Sequence, residues 1–251
     1  MTTTAKLLLT LVVACTLPAA ACGGGDASPT SPSGSSPTSP SGAPPTTTTG
    51  TMVISYFAID LASSPFVSNI DLNAWPAHTF PPIHVFGNTY QGKVEPTLNF
   101  DMLKIGTPVY APFDGTIRQV TDQPESCDTE MYFIDNNQDS QNSLSYDHVT
   151  PLDKFRTKGA AFKAGEQIGT IPAWQCTQPH GGIEMMLVNQ PTGSSTVRAR
   201  CPLALLDPAR KSPLLAGIAS VMDWWNALSP RSPYSASERA NGLCPVEYVP
   251  L

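Results

Sequence analysis

The sequence predicts a mainly β protein with one C-terminal amphipathic helix. Short apolar segments with alternating side chains recur along the middle of the chain, each bounded by Gly, Pro, Asn or Asp. The composition is turn-rich and charge-poor, with 26 prolines and 18 glycines among 251 residues and 14% charged residues, which suits strands and turns better than helices. A hydrophobic fraction of 41% is enough for a sizeable core. Helical spacing of apolar residues appears near the C-terminus, from residue 213 to residue 228.

Residues 1–22 read as a targeting segment. Lys6 is the lone charge, Leu7 to Ala14 is an apolar run too short to span a bilayer, and small residues lead into Cys22. Ala19-Ala20-Ala21-Cys22 resembles a bacterial lipobox, and Val12-Val13-Ala14-Cys15 also fits. Cys22 is the preferred lipidation site, because cleavage before Cys15 leaves little apolar segment for export and a low-complexity stretch starts right after Cys22. Residues 23–50 are Ser, Pro, Thr and Gly with little else. They read as a disordered tether that cannot bury enough surface to fold.

Residues 51–94 form an N-terminal β and irregular segment. Met52 to Asp60 is an apolar strand candidate, and Asn73 to Pro82 is irregular, with His78 in a solvent-exposed loop. Ile83-His84-Val85-Phe86 is a strand ending at a Gly87-Asn88 turn, with His84 read as a packing residue. A β domain follows over residues 95–195. Thr97 to Asp101 is a strand, and GTPVYAPFDGTI, residues 106–117, reads as two short strands joined at Asp114-Gly115. Met131 to Asp135 and Ser143 to Val149 read as a hairpin across a polar loop, and alternation puts Leu144, Tyr146 and His148 on one face. Phe162 to Gly169 is a second strand-turn-strand piece, and Ile183 to Val188 a further strand.

Residues 196–251 are a C-terminal extension. Ser212 and Pro213 carry a helix-start signal, Leu214, Leu215, Ile218, Val221, Met222, Trp225 and Leu228 follow at helical spacing, and Pro230 ends the run. The predicted helix covers about 213–228, with its apolar stripe on the β domain and a loop after it. Export places Cys127, Cys176, Cys201 and Cys244 in an oxidising compartment, where four cysteines allow three pairings. Cys127–Cys176 with Cys201–Cys244 is preferred, since it joins core to core and tail to tail.

Five blocks in order resemble the core of the lysostaphin/LytM-type zinc endopeptidases of peptidoglycan, and the resemblance implies a duplicated-hybrid-motif antiparallel β-sandwich or open barrel. That core reads His-x-x-x-Asp, then GTPVYAP-x-DG-x-(V/I), Tyr-x-His, (V/F)KAG-(Q/E)-x-(I/V)G and His-x-His-Phe-Glu. The resemblance runs from about Glu95 to Gln190. It implies a zinc held by two histidines and one aspartate with an open position for an acidified water. It places Asp101 at the aspartate position, His148 at the Tyr-x-His position and His180 at the first histidine of His-x-His. Thr97 and Gly182 stand where the other two zinc ligands belong. A site improvised from Asp101, His148 and His180, or one that His84 or Glu95 enters, is the alternative.

The resemblance implies a degenerate, non-catalytic domain, and the N-terminal segment with its lipobox places it in an exported, membrane-anchored lipoprotein of the bacterial cell envelope. It would bind peptidoglycan or an envelope protein and carry no cofactor. The alternative is an active zinc metalloendopeptidase with a rearranged site. A net charge of −6 argues against nucleic acid as a partner. A biotinyl or lipoyl carrier needs a lysine at the turn where Phe113-Asp114-Gly115 stands. Acylation is the one hydrophobic attachment such a chain has. Cys22→Ser should then move the protein from the membrane fraction to the soluble fraction, whereas release by Cys15→Ser alone would assign the lipid to Cys15.

Overall fold

The computed structural model describes residues 50–68, 81–90, 92–229, 234–240 and 242–251. The chain divides into two units, Met1–Thr46 and Thr47–Leu251. The first unit, with Cys15, Cys22 and most of the tether, lies outside the described residues, as does His78.

The strands are β1 (Ile83–His84), β2 (Thr89–Tyr90), β3 (Lys93–Val94), β4 (Leu98–Leu103), β5 (Pro108–Tyr110), β6 (Gly115–Gln123), β7 (Asp128–Asp135), β8 (Asn142–Pro151), β9 (Ala161–Phe162), β10 (Gln167–Thr170), β11 (Gly181–Asn189), β12 (Arg198–Arg200) and β13 (Tyr248–Pro250). Two helices, α1 (Pro208–Leu228) and α2 (Ala236–Ala240), complete the regular structure apart from short 3-10 turns. The main sheet is antiparallel in the order β1-β4-β11-β8-β7-β6-β9, with β12 and β13 added beyond β11 and β10 tying β5 to β8. The fold class is that expected from the sequence.

Two local pairings differ from the sequence expectation. Residues 106–117 do not fold back on themselves: β5 pairs with β10, while β6 pairs with β7 and β9. Phe162 to Gly169 behaves the same way, so the two strand-turn-strand pieces interlock, each strand taking its partner from the other piece or from the main sheet. The linking residues bind across this crossing. Ala111 N donates to Glu166 O at 2.8 Å and Gly165 N to Ala111 O at 2.9 Å, and Asp114 accepts from Ala164 N at 2.9 Å. Gly115 is required there, since a Cβ would lie 2.2 Å from Ile134 O. Met52 to Asp60 is likewise mostly irregular, with an isolated bridge from Ile54 to Leu206 and a bond to the sheet in which Tyr110 N of β5 donates to Ala58 O at 2.8 Å.

The core lies on one face of the β1-β4-β11-β8 region. Ile83, Leu98, Phe100, Ile183, Met185, Leu144 and Tyr146 are fully buried, and Phe57 and Trp225 join them from the N-terminal segment and α1. Phe57 meets Phe100 edge-on at 5.4 Å, and Phe133 meets Tyr146 at 4.9 Å, geometry that adds to plain area burial. Helix α1 begins five residues before the position expected from Ser212-Pro213. Asp207 caps it, accepting from Ala209 N at 2.9 Å, and Pro208 takes the first position. Two acidic-or-hydroxyl plus proline signals stand in tandem, and the upstream one wins; Pro213 is carried inside the helix at the loss of one intrahelical bond. The expected apolar stripe is otherwise the buried one, with Ile218, Val221, Met222 and Trp225 inward.

The tail is not plain loop. β13 pairs with β12, and Tyr234 covers the outer edge of β1, its hydroxyl accepting from Ile83 N at 2.7 Å and donating to Ile83 O at 3.0 Å. This protects a strand edge from outside pairing. The disulfides are Cys127–Cys176 and Cys201–Cys244, with Cα separations of 5.1 and 6.1 Å. They close loops of 49 and 43 residues. Each should contribute about 2–4 kcal/mol by restricting the unfolded chain. Reductant should lower the urea midpoint accordingly, and thiol labelling of the unreduced, denatured domain should find none of these four cysteines free.

Candidate functional site

Opposite residues in antiparallel strands share a face. The register pairs His84 with Asn99, Asn99 with Glu184, and Glu184 with Asp147. Four strands, β1, β4, β11 and β8, thus carry one transverse polar row on the face away from the core. Asp101, two residues beyond Asn99, lies on the same face. His84 Nε2 is 3.3 Å from Asp101 Oδ2, and its Nδ1 is 3.9 Å from Glu95 Oε2. Its ring stacks on Tyr90 at 4.6 Å. His84 is thus packed against Tyr90, as expected, and in addition its ring faces two carboxylates; its side chain is 12% exposed and lies on the face opposite to buried Ile83 and Val85.

Gly182 stands beside Asp101. The β4–β11 register shifts between Gly181 and Ile183, and Met102 takes φ +58°. A Cβ at Gly182 would lie 2.7 Å from Asp101 Oδ1 and 3.1 Å from Trp174 Cζ3. Thr97 is buried, and both its N–H and its hydroxyl donate to Glu95 Oε1. Neither position offers a metal ligand. The three-ligand zinc arrangement that the resemblance implies at Thr97, Asp101 and Gly182 does not fit these residues.

His148 does not share a face with Leu144 and Tyr146 as alternation suggested. It takes φ +62°, the β7–β8 register shifts nearby, and the imidazole swings into the cleft beside Asp147. His148 Nδ1 lies 2.7 Å from Asp128 Oδ2, whose side chain is 1% exposed. Its Nε2 lies 3.7 Å from Glu184 Oε1 and 3.9 Å from Asp147 Oδ2. Trp174 covers the ring at 4.4 Å between centroids. The Cys127–Cys176 bridge sits one residue from Asp128 and two from Trp174, so it ties together both groups that enclose His148. His180 is buried just before β11, and its carbonyl accepts from Trp174 N at 2.9 Å. Trp174 thereby links the two histidines singled out from the sequence. Asp128, Trp174 and Glu184 were not among the sequence-derived site residues; Asp128 is adjacent to Cys127 but carries no motif of its own.

The electrostatics divide these groups. Burial alone would lower the His148 pKa, but its bonds to Asp128 and Glu184 and the Asp147 charge outweigh that and raise it to about 10. His148 is an imidazolium at neutral pH. Burial lowers His84 to about 4, despite the Glu184 charge, so it stays neutral. Burial, then the Glu184 charge, raises Asp101 to about 7. Burial also raises Glu95 and Asp147. Among the described residues, one group brings three ligand atoms within 4.8 Å of one another: Asp128, Asp147 and His148. A metal there would have to displace the His148 proton first.

No family model matches the chain, and no curated protein does. Solved structures do. The solution structure of lysostaphin matches at 19% identity and TM-score 0.37, over 49% of this chain and 52% of that one. The catalytic domain of lysostaphin from Staphylococcus simulans matches at 22% and 0.34, over 48% of this chain and 86% of that one. A zinc-containing peptidase from Vibrio cholerae matches at 19% and 0.36, over 54% and 36%. The chain thus spans about half the length of lysostaphin, and at these identities the likeness is one of fold.

The His148 environment has a pH consequence. Its folded-state pKa of about 10 lies above the ordinary 6.5. Its contribution to stability is therefore complete below about pH 6.5, declines as pH rises, and is lost above about pH 10. Asp128→Asn should return the His148 titration, followed by NMR, towards the ordinary value, flatten that decline and cost about 3–5 kcal/mol at neutral pH.

Proposed function

We propose that this chain is an exported, lipid-anchored protein of the bacterial cell envelope whose LytM-like domain binds peptidoglycan without cleaving it. The observation that supports this reading most directly is Gly182. Where a catalytic zinc site needs an imidazole, this chain has no side chain, and the space beside the glycine belongs to Asp101 and Trp174. A site with one carboxylate and no correctly placed histidine cannot both hold zinc and keep its water acidic. His148 is charged and clamped by Asp128 rather than offering a lone pair. No helix among the described residues is long and apolar enough to cross a membrane; the attachment in this reading is an acyl chain on Cys22.

A second reading, an active zinc metalloendopeptidase with a rearranged site, has one observation in its favour. His84 stands 3.3 Å from Asp101, which supplies an imidazole and a carboxylate side by side.

Incubation of the zinc-supplemented protein with purified peptidoglycan separates the two. The expected result is co-sedimentation with the wall and no new amino termini released. Release of amino termini that is lost in both His84→Ala and Asp101→Ala would establish the enzyme instead. The double variant Thr97→His/Gly182→His should not gain zinc affinity, because a side chain at residue 182 collides with Asp101 and Trp174. A Cβ there meets Asp101 Oδ1, the Phe100 carbonyl oxygen and Trp174; adding Trp174→Ala removes one of these three obstacles and should recover part of that affinity.

A further inference from the structure

A second polar row crosses the sheet away from the cleft. The register sets Asn142 of β8 opposite Asn189 of β11, and Asn189 opposite Arg198 of β12. Asn189 follows Glu184 along β11 by about 17 Å and, by alternation, lies on the other face. The row is a continuous chain of hydrogen bonds. Asn142 Nδ2 donates to Asp139 Oδ2 at 2.8 Å, Asn189 Nδ2 to Asn142 Oδ1 at 3.0 Å, and Arg198 Nε to Asn189 Oδ1 at 3.1 Å. A carboxylate at one end accepts and a guanidinium at the other donates, so both amide orientations between them are forced. Arg198 also lies over Tyr248, its Cζ 3.5 Å from the ring centroid. The guanidinium is thus held from two sides.

Its Nη groups are left over. Among the described residues they meet no acceptor, and Arg198 forms no ion pair. The charged neighbours are already engaged. Arg200 is paired with Glu247, its Nη2 at 2.8 Å and its Nε at 3.0 Å from Oε1. Asp139 accepts, besides the Asn142 amide, from Met52 N at 2.9 Å, Gln141 N at 2.9 Å and Asn142 N at 3.2 Å. Arg198, Asp139 and Asn142 border an open cavity of about 280 Å³, which Thr51, Ser140 and Tyr248 also line. Arg198 is partly exposed there, so an entering group can reach its Nη donors.

The unused charged donors in this cavity belong to one planar guanidinium. That fork matches a carboxylate in shape and charge, and it would leave a doubly charged phosphate half neutralised. The hydroxyls of Thr51 and Ser140 beside it suit a polar body on the same molecule, and the volume suits a small one. We propose that this cavity binds a small monocarboxylate with a hydroxylated body, the chemistry of a sugar acid, through paired bonds from Arg198 Nη1 and Nη2. The site is separate from the cleft, and neither it nor the wall-binding reading depends on the other.

The test is NMR titration of the full chain with sodium D-glucuronate, following the Nε–H signal of Arg198. A saturable shift is expected, with half-saturation on the order of millimolar. D-glucose lacks the carboxylate, propionate lacks the hydroxyls, and inorganic phosphate at pH 8 is a dianion. Each should bind about tenfold more weakly or worse. Arg198→Lys keeps the charge but loses the fork, and should weaken glucuronate binding about tenfold. Asn189→Ala leaves the guanidinium in place but unfastens it, and should weaken binding by a smaller factor. Circular dichroism checks that each variant is folded, and the ligand series on the natural protein decides the matter even where one is not. Absence of saturation, an equal response to glucose, propionate or phosphate, or unchanged glucuronate affinity in folded Arg198→Lys would each overturn the proposal.

Discussion

Everything in the cleft depends on where β11 lies between β4 and β8. With Glu184 opposite Asn99 on one side and Asp147 on the other, polar side chains from four strands line up on one face while Ile183 and Met185 enter the core. A slip of one residue would exchange these sets, burying Glu184 and exposing two fully buried apolar side chains. Each of those contributes about 1.5–3 kcal/mol by leaving water, and the buried charge would cost more than either. The same alignment brings Gly182 against Asp101. The core therefore enforces the register, and the register assembles the cleft.

Within the cleft, two histidines have opposite fates because of distance. His148 has a carboxylate at 2.7 Å and two more within 3.9 Å, and it holds its proton to about pH 10. His84 has its nearest carboxylates at 3.3 and 3.9 Å, and desolvation wins, leaving it neutral. Asp101 faces this neutral imidazole, and burial, then the Glu184 charge, raises its own pKa to about 7 against the opposing pull of the His148 charge. A fully formed ion pair at Asp101 would have pulled its pKa down instead. The cleft has invested its one cation in Asp128, at the end of the row away from β4.

The strands themselves were legible because alternation and turn residues mark them, and the disulfide pairing followed from keeping core with core. Strand partners were not legible. A sequence such as GTPVYAPFDGTI looks like a hairpin locally, and only the interlocked second piece, 162–169, shows that β5 and β6 part company. The face of His148 was misread in a similar way: strict alternation puts it with Leu144 and Tyr146, but a left-handed residue at a register shift turns it over, and no single-sequence rule marks such a shift at a histidine. His84 was recoverable, since its buried neighbours Ile83 and Val85 put it on the opposite face. Asn99 and Glu184 become meaningful once the strands carrying them are known to touch.

The loop that closes the cleft shows how much backbone cost the arrangement carries. Cys127, Gln175 and Cys176 all have positive φ, at +61°, +49° and +68°. Such conformations are uncommon outside glycine and persist where the surroundings over-determine them. Here the determinants are identifiable: the bridge fixes Cys127 to Cys176, Trp174 N bonds the His180 carbonyl, and the Trp174 ring lies on His148. The strained residues are thus concentrated at the segment that sets Asp128 and Trp174 on either side of one imidazolium. If that segment served only to connect β10 and β11, a relaxed turn would do as well. Its geometry makes sense as a clamp that holds the His148 imidazolium against Asp128.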